Sequence, residues 1–193
     1  MSKGKIIALT AGALSGGVMM KKALVFAASL TLLLAFAVTA MAGDLAKEGS
    51  FSLTIYGMWT GKASVVAKRL HAIYDGVGVV VNHEGKGFLN DAAFYCLGQM
   101  HGANGIKESE NGVFEYTDAD GDKILATYEW RGVLFKSSEG PFKFVAGTGK
   151  YTGITGGGES TWRPTVQRKE EIHPGVTNPN PGVLEAKGHY KLP

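Results

Sequence analysis

The feature that most constrains the fold of this chain is a two-residue alternation of apolar side chains, repeated between residues 51 and 190 and interrupted by glycine-rich turns. Such a period is typical of half-buried β-strands, whereas an amphipathic helix repeats every 3.6 residues. In the run 124–131 the apolar residues that share one side are Ile124, Ala126, Tyr128 and Trp130. Only residues 63–69 have some helical character, over at most two turns. The sequence therefore predicts an all-β protein.

The alternating runs predict eight strands. They are residues 51–60, 70–82, 92–101, 113–117, 124–131, 142–146, 157–162 and 183–190. Eight antiparallel strands can close into a barrel that leaves no exposed edge, and a sandwich of two sheets is the main alternative. In the second strand Ile73, Val77, Val79 and Val81 are in register. Gly76 and Gly78 lie on the opposite side, where glycine marks a bend or a close backbone approach.

Residues 20–42 have the layout of a secretory signal peptide. The pair Lys21-Lys22 precedes an apolar run at 23–38, and Ala40-Met41-Ala42 offers small residues for cleavage. The run is shorter than the ~20 apolar residues of a helix that spans a membrane. We predict cleavage before Gly43 and export to the periplasm or the extracellular space, with membrane contact only during export.

Residues 1–19 match no targeting pattern, and the pair Met19-Met20 indicates a translation start, so we predict that this extension is not native or reflects a misassigned start.

The whole chain has 20 Lys+Arg and 17 Asp+Glu, but four of the bases and none of the acids precede Gly43. The predicted mature domain, residues 43–193, therefore has 16 bases and 17 acids, a net charge of −1. A nucleic-acid partner requires a basic face, so we predict none.

Two polar segments allow a functional and a structural interpretation. The segment Asp118-Ala119-Asp120-Gly121-Asp122 predicts a hairpin turn between two strands. The alternative is a calcium loop of the EF-hand type, because Glu129 stands at the twelfth position of such a loop. The sixth position, however, holds Lys123 instead of the required glycine. The glycine-rich run 147–153 predicts tight corners rather than a phosphate loop, because Tyr151 follows the lysine where Ser or Thr is required. We predict no cofactor.

The two segments 118–123 and 147–156 together resemble a family. They are similar to a set of uncharacterised bacterial secreted proteins whose barrel resembles that of allene oxide cyclases and, more distantly, plant dirigent proteins. The resemblance covers residues 74–161 and rests on turns, so it concerns the fold more than the chemistry. It implies a calycin-like, eight-stranded antiparallel barrel that encloses an apolar substrate and controls its conformation. It also implies a homo-oligomer, a dimer or a trimer, and it assigns no catalytic residue.

Aromatic residues are the candidates for a binding site inside such a barrel, and a packed core is the competing interpretation for each of them. The aromatic side chains that we expect to line the interior are Tyr56, Trp59, Phe94, Tyr95, Phe114, Tyr116, Tyr128 and Trp130. Glu129 and Arg131 lie on the face opposite Tyr128 and Trp130, and we expect them to be solvated.

The remaining reactive side chains give no catalytic or metal motif. None of the five histidines is paired at a spacing that favours metal binding, so we predict no metal site. Cys96, the only cysteine, lies in an apolar strand and is predicted to be buried, with the alternatives of a nucleophile or a dimer link. Strict alternation places His101 on the face opposite Cys96, which disfavours a nucleophilic pair.

Three functions stay open at this point. The first is an exported barrel that binds a small apolar or aromatic molecule. The second is an isomerase or cyclase that shapes a substrate in the same cavity, and the third is a structural or partner-binding module with a filled core. The polar, proline-containing segment 163–182 predicts a long loop before the last strand, which could cap the barrel mouth.

Overall fold

Eight antiparallel strands close into a barrel in a computed structural model that describes residues 45–134, 136–166 and 178–193. The strands are β1 (Glu48–Val66), β2 (Arg69–Asn82), β3 (Ala93–Ala103), β4 (Ile106–Thr117), β5 (Lys123–Val133), β6 (Ser137–Gly147), β7 (Thr155–Pro164) and β8 (Asn178–Lys191). Each strand pairs with its neighbour in sequence, and β1 pairs with β8 to close the barrel. The predicted eight-stranded antiparallel barrel is confirmed. The predicted extension 1–19 and signal peptide 20–42 lie outside the described residues.

The chain between β1 and β2 corrects the expectation of helical character at 63–69. β1 continues to Val66, the chain reverses at Ala67 and Lys68, and β2 starts at Arg69. Both turn residues have positive φ angles, 49° and 66°, which match the right-handed twist of a tight hairpin. Cross-strand pairing along this long hairpin outweighs the weak local preference for helix.

The predicted loop 163–182 is shorter than expected. β7 extends through Pro164 and β8 begins at Asn178, so both ends of that segment belong to strands. Residues 167–177 lie outside the described residues. The prolines Pro179 and Pro181 are accommodated in β8, where they pair in register with Thr60 and Met58 of β1.

The side of β2 that faces the interior is set by a tryptophan on β1. The inward residues of β1 are buried and lie two or four positions apart, as a two-residue period requires: Phe51, Leu53, Ile55 and Trp59. On β2, however, Gly76 and Gly78 face inward and the apolar residues Ile73, Val77, Val79 and Val81 are exposed. A Cβ atom at Gly76 would lie 2.5 Å from the indole of Trp59, so glycine is needed where this ring crosses the strand.

The two ends of the barrel differ. At one end, which we call the closed end, the β2–β3 connection inserts Phe88 and Leu89, and a 3-10 turn at Gly149–Tyr151 adds Tyr151. The ring of Phe88 stacks on that of Tyr190 with centroids 4.0 Å apart. The predicted hairpin turn 118–122 is confirmed at this end, between β4 and β5. Among the described residues, no helix has the length and apolar character to span a bilayer.

Candidate functional site

The opposite end, which we call the mouth, contains a cavity of about 130 Å³. It lies beside the β1–β2 turn, and residues from β1 to β5, β7 and β8 contribute to its wall. All three tryptophans of the chain border it. The larger side chains of its wall are both apolar and charged: Trp59, Leu70, Tyr74, Met100, Lys107, Glu110, Trp130 and Trp162, with Ala72 between them. The barrel is thus filled at the closed end and retains space at the mouth.

A buried carboxylate is the polar centre of this cavity. Glu110 of β4 is only 5% exposed, and Lys107 is 4% exposed with its Nζ 3.1 Å from Glu110 Oε2. The hydroxyl of Ser138 donates to Glu110 Oε2 and accepts from Lys107 Nζ. The hydroxyl of Tyr74 donates to Glu110 Oε1 at 2.6 Å and lies 2.6 Å from the hydroxyl of Tyr128. Each of these three groups can donate a hydrogen bond, so both oxygens of the carboxylate have partners within the protein.

A β-bulge brings the lysine and the glutamate to the same side of β4. The register between β4 and β5 shifts between Lys107 and Glu110, so two residues three apart both point inward. Bulges of this kind redirect side chains at barrel rims. The ammonium group of Lys107 also lies 5.0 Å from the ring centroid of Trp162, a cation–π contact at the cavity wall.

Burial controls the ionisation of these groups. It lowers the pKa of Lys107, and the charge of Glu110 opposes that effect. Burial and the nearby Glu110 raise the pKa of Tyr74 well above its usual value. The pKa of Tyr128 is also raised, mainly by burial. Both phenols therefore keep their protons at neutral pH and remain hydrogen-bond donors.

Two glycines make room for the tyrosine hydroxyls. Gly98 of β3 and Gly112 of β4 are directly opposite each other in the sheet. A Cβ atom at Gly98 would overlap the hydroxyl of Tyr128 and lie 2.7 Å from that of Tyr74. A Cβ atom at Gly112 would also lie 2.7 Å from the Tyr128 hydroxyl. The network therefore depends on a glycine pair as much as on its polar members.

The only cysteine lies under this network and is inert. Cys96 is 1% exposed, and burial raises the pKa of its thiol to about 12. The predicted burial is confirmed, and the thiol stays protonated at neutral pH, which argues against a nucleophile. His101 lies on the outer face, as alternation predicts, with its Nδ1 2.8 Å from Nδ1 of His71.

Six of the eight aromatic residues predicted to line the interior do point inward. They are Trp59, Phe94, Phe114, Tyr116, Tyr128 and Trp130, all buried. The prediction is wrong for Tyr56 and Tyr95, which are 55% and 41% exposed on the outside of the barrel. Each follows directly after an inward residue, so the two-residue period of its strand turns it outward. Of the six, only Trp59 and Trp130 border the cavity, and the others pack the core below it.

The polar residues of the site were missed from the sequence. The sequence pattern gives no signal for Tyr74, Lys107, Glu110 or Ser138, and it places Trp162 on a strand without indicating a role. The acidic and basic residues between 106 and 112 resemble a solvated segment, and the bulge that turns two of them inward leaves no local signal. Glu129 and Arg131, in contrast, are exposed as predicted. Within the described ranges, no three His, Cys, Asp or Glu side chains are close enough to hold a metal ion.

Comparison of the chain with family models, with curated proteins and with solved structures gave no match. The resemblance to allene oxide cyclase-like barrels therefore stays a prediction. What the site can do follows from its own geometry. It offers aromatic walls to an apolar body, and a hydrogen-bonded phenol and carboxylate at the edge of the same cavity.

Proposed function

We propose that this protein binds a small, largely aromatic molecule with one hydrogen-bonding group in the mouth of its barrel. The observation that supports the proposal is the cavity of about 130 Å³ bordered by three tryptophans and by the Tyr74–Glu110 pair. Ligand sites typically combine apolar walls with a few convergent polar groups. The filled closed end leaves the mouth as the place where a ligand can contact these residues.

The size and charge of the cavity narrow the ligand class. A dry apolar cavity of about 150 Å³ accepts a benzene ring, so about one ring with a small substituent fits here. The buried lysine and glutamate compensate each other's charge, which favours an uncharged ligand over an ion. A hydroxyl or carbonyl on the ring would find Tyr74 or Glu110 within reach of the cavity.

Tryptophan fluorescence tests this proposal directly, because every tryptophan of the chain borders the cavity. Titration with 4-methylphenol is expected to give a saturable change, and toluene, which lacks the hydroxyl, is expected to bind several-fold more weakly. Ala72→Phe fills the cavity and should abolish the change. Val145→Phe, at a 50% exposed position on β6, is the matched control and should retain it. Equal responses from the two variants, or no saturable response, would contradict the proposal.

A second candidate, an isomerase or cyclase, is favoured by the carboxylate and the phenol side by side at the cavity edge. Glu110 could accept a proton from a bound substrate, and the Tyr74 hydroxyl, which donates to Glu110 at 2.6 Å, would then turn its one proton to the developing oxyanion. The test compares small molecules retained by wild type and Glu110→Gln, both purified from the protein's own host. Isomers share a mass, so chromatography must accompany native mass spectrometry. An enzyme should yield different isomers from the two proteins, and a binder the same molecule.

We also propose that the barrel acts after export. The support is the signal-peptide pattern at residues 20–42 and the cleavage motif before Gly43. Intact mass of the protein recovered from the periplasm or the medium should correspond to a chain that starts at Gly43. Recovery of a chain that retains residues 23–38 would contradict cleavage.

A further inference from the structure

One basic side chain reaches the mouth cavity from the inside of the barrel. Lys107 borders the cavity and is 4% exposed, and its Nζ lies 5.0 Å from the ring centroid of Trp162, another residue of the wall. A lysine usually extends its ammonium group into water, because that charge is strongly hydrated. Here the bulge of β4 turns the side chain inward. The nitrogen and a ligand in the cavity would therefore share one small, largely apolar space.

The nitrogen of Lys107 has a proton acceptor in direct contact. Nζ lies 3.1 Å from Glu110 Oε2, and it also donates to the hydroxyl of Ser138. A primary amine attacks carbon only in its neutral form, which is reached here when one proton passes from the ammonium group to the carboxylate. Burial lowers the pKa of Lys107, against the opposing effect of Glu110. The neutral pair is therefore closer in free energy to the ion pair than it would be in water.

The electrophile that suits such an amine is the carbonyl carbon of an aldehyde. The C–N bond forms as the π bond of the carbonyl opens, and the carbonyl oxygen takes the proton held by Glu110. The carboxylate then removes one proton from the nitrogen and returns it to the new hydroxyl group, which leaves as water when the C–O bond breaks. The ammonium group and the aldehyde thus give an iminium group and water, and no oxidant or reductant takes part.

The product of this step conserves the charge balance of the site. An iminium group keeps one positive charge on the nitrogen of Lys107, so Glu110 keeps its counter-charge and Trp162 keeps the cation beside its ring. Acylation of the same nitrogen would remove that charge and leave a buried carboxylate uncompensated. The site therefore accommodates a carbonyl compound better than an acyl donor, and a cavity of about 130 Å³ limits the compound to about one ring.

From this placement we infer that Lys107 forms a reversible imine with a small aromatic aldehyde that occupies the mouth cavity. The inference rests on the proposed binding of an aromatic molecule at the same site, and it adds the covalent bond and the residue that makes it. 4-Methylphenol has no carbonyl group and can bind without reacting. Binding and bond formation can therefore be measured separately.

Trapping with sodium cyanoborohydride tests the inference, because this reagent reduces an imine to a stable secondary amine. Wild type is incubated with 4-methylbenzaldehyde and the reagent, and is then analysed by intact mass and peptide mapping. We expect one arylmethyl group per chain, on Lys107, at an aldehyde concentration at least ~10-fold below that which labels other amines. Lys107→Arg keeps the charge but should lose this adduct. Lys62→Arg is the matched control and should keep it, since Lys62 also borders the cavity but is exposed.

Each outcome decides the matter. Labelling of Lys107 that saturates and that 4-methylphenol suppresses supports the inference, and Ala72→Phe, which fills the cavity, should abolish it. The peptide map of wild type gives this answer even where Lys107→Arg does not fold. Saturable binding of 4-methylphenol with Lys107 unlabelled, or labelled no faster than Lys62, overturns the inference and leaves the proposed function intact. Absence of saturable binding contradicts the proposed function, and the inference then fails with it.

Discussion

The buried pair of Lys107 and Glu110 shows how one residue of the site depends on another. Both side chains are withdrawn from water, so each charge is compensated by the other and by Ser138 and Tyr74. A buried pair of this kind need not be more stable than apolar residues of the same size, but removal of one partner leaves the other charge uncompensated. Neither charge can therefore be removed alone without a loss of stability.

A mutant cycle on this pair makes the point measurable. Lys107→Met should lower the free energy of unfolding by about 3–5 kcal/mol, because Glu110 then remains buried without a counter-charge. The double variant Lys107→Met/Glu110→Leu should recover part of that loss, because the Tyr74 hydroxyl keeps its contact with Tyr128 whereas the buried Ser138 hydroxyl loses both of these partners. Urea denaturation provides both values. A double variant no more stable than the single one would contradict this account.

Asp118 gives the protein a stability that depends on pH. Burial favours its neutral form, but the ammonium group of Lys150, 2.6 Å from its Oδ2, the nearby Tyr151 hydroxyl and the backbone N–H of Asp122 outweigh that effect and hold the pKa of its carboxyl below the usual value. The unfolded chain therefore takes up this proton at a higher pH than the folded chain does. The stabilisation is present above the usual carboxyl pKa and is lost as the pH falls through the lowered value.

Asp118→Asn tests this sign. The variant keeps an oxygen that can accept from the backbone but loses the charge beside Lys150, and we expect it to be about 1 kcal/mol less stable than wild type at neutral pH. The difference should shrink as the pH falls through the lowered pKa of Asp118, as followed by urea denaturation at several pH values. Asp120→Asn is the control, because Asp120 is 73% exposed and contacts the same lysine. A difference independent of pH would show that charge is not the cause.

At the scale of the strand, the glycine pair Gly98 and Gly112 sets where the tyrosine hydroxyls can lie. Gly98→Ala should lower the free energy of unfolding by about 1–3 kcal/mol, because its methyl group would overlap the Tyr128 hydroxyl. Tyr128→Phe removes that oxygen, so the double variant should lose less than the sum of the two single losses. Thermal or urea unfolding of the three variants gives the coupling. Strictly additive losses would exclude the overlap as the cause.

The strands also show what the sequence could and could not predict. Alternation located all eight strands, because each apolar run is a local pattern that burial on one face imposes. It failed on β4, which begins at Ile106 rather than near 113, because the inward residues Lys107 and Glu110 are charged. The site was missed for the same reason. Burial of a charge depends on partners from β2 and β6, and no pattern within β4 contains them.

At the scale of the whole molecule, closure decides which face of each strand is inside. The number of strands predicted a barrel, but alternation alone does not say which side of β2 faces the core. The bulk of Trp59 over Gly76 makes that choice, and it sends Val77 and Val79 outward. The outward position of these valines therefore becomes evident only when β1 and β2 are packed together.

The closed end is filled and the mouth is not. A substitution at the closed end should therefore change the stability of the protein, and a substitution at the mouth should change its affinity for a ligand. Phe88→Ala removes a 4% exposed ring that stacks on Tyr190, and a deletion of this size costs about 3–5 kcal/mol. At temperatures where the variant stays folded, its dissociation constant for 4-methylphenol should equal that of wild type. Ala72→Phe should do the reverse, with binding lost and the free energy of unfolding little changed, because its ring enters space that is already empty. Calorimetric unfolding and fluorescence titration of both variants measure the two effects. A loss of affinity in Phe88→Ala would mean that the two ends are coupled and that the cavity owes its shape to the packing of the whole barrel.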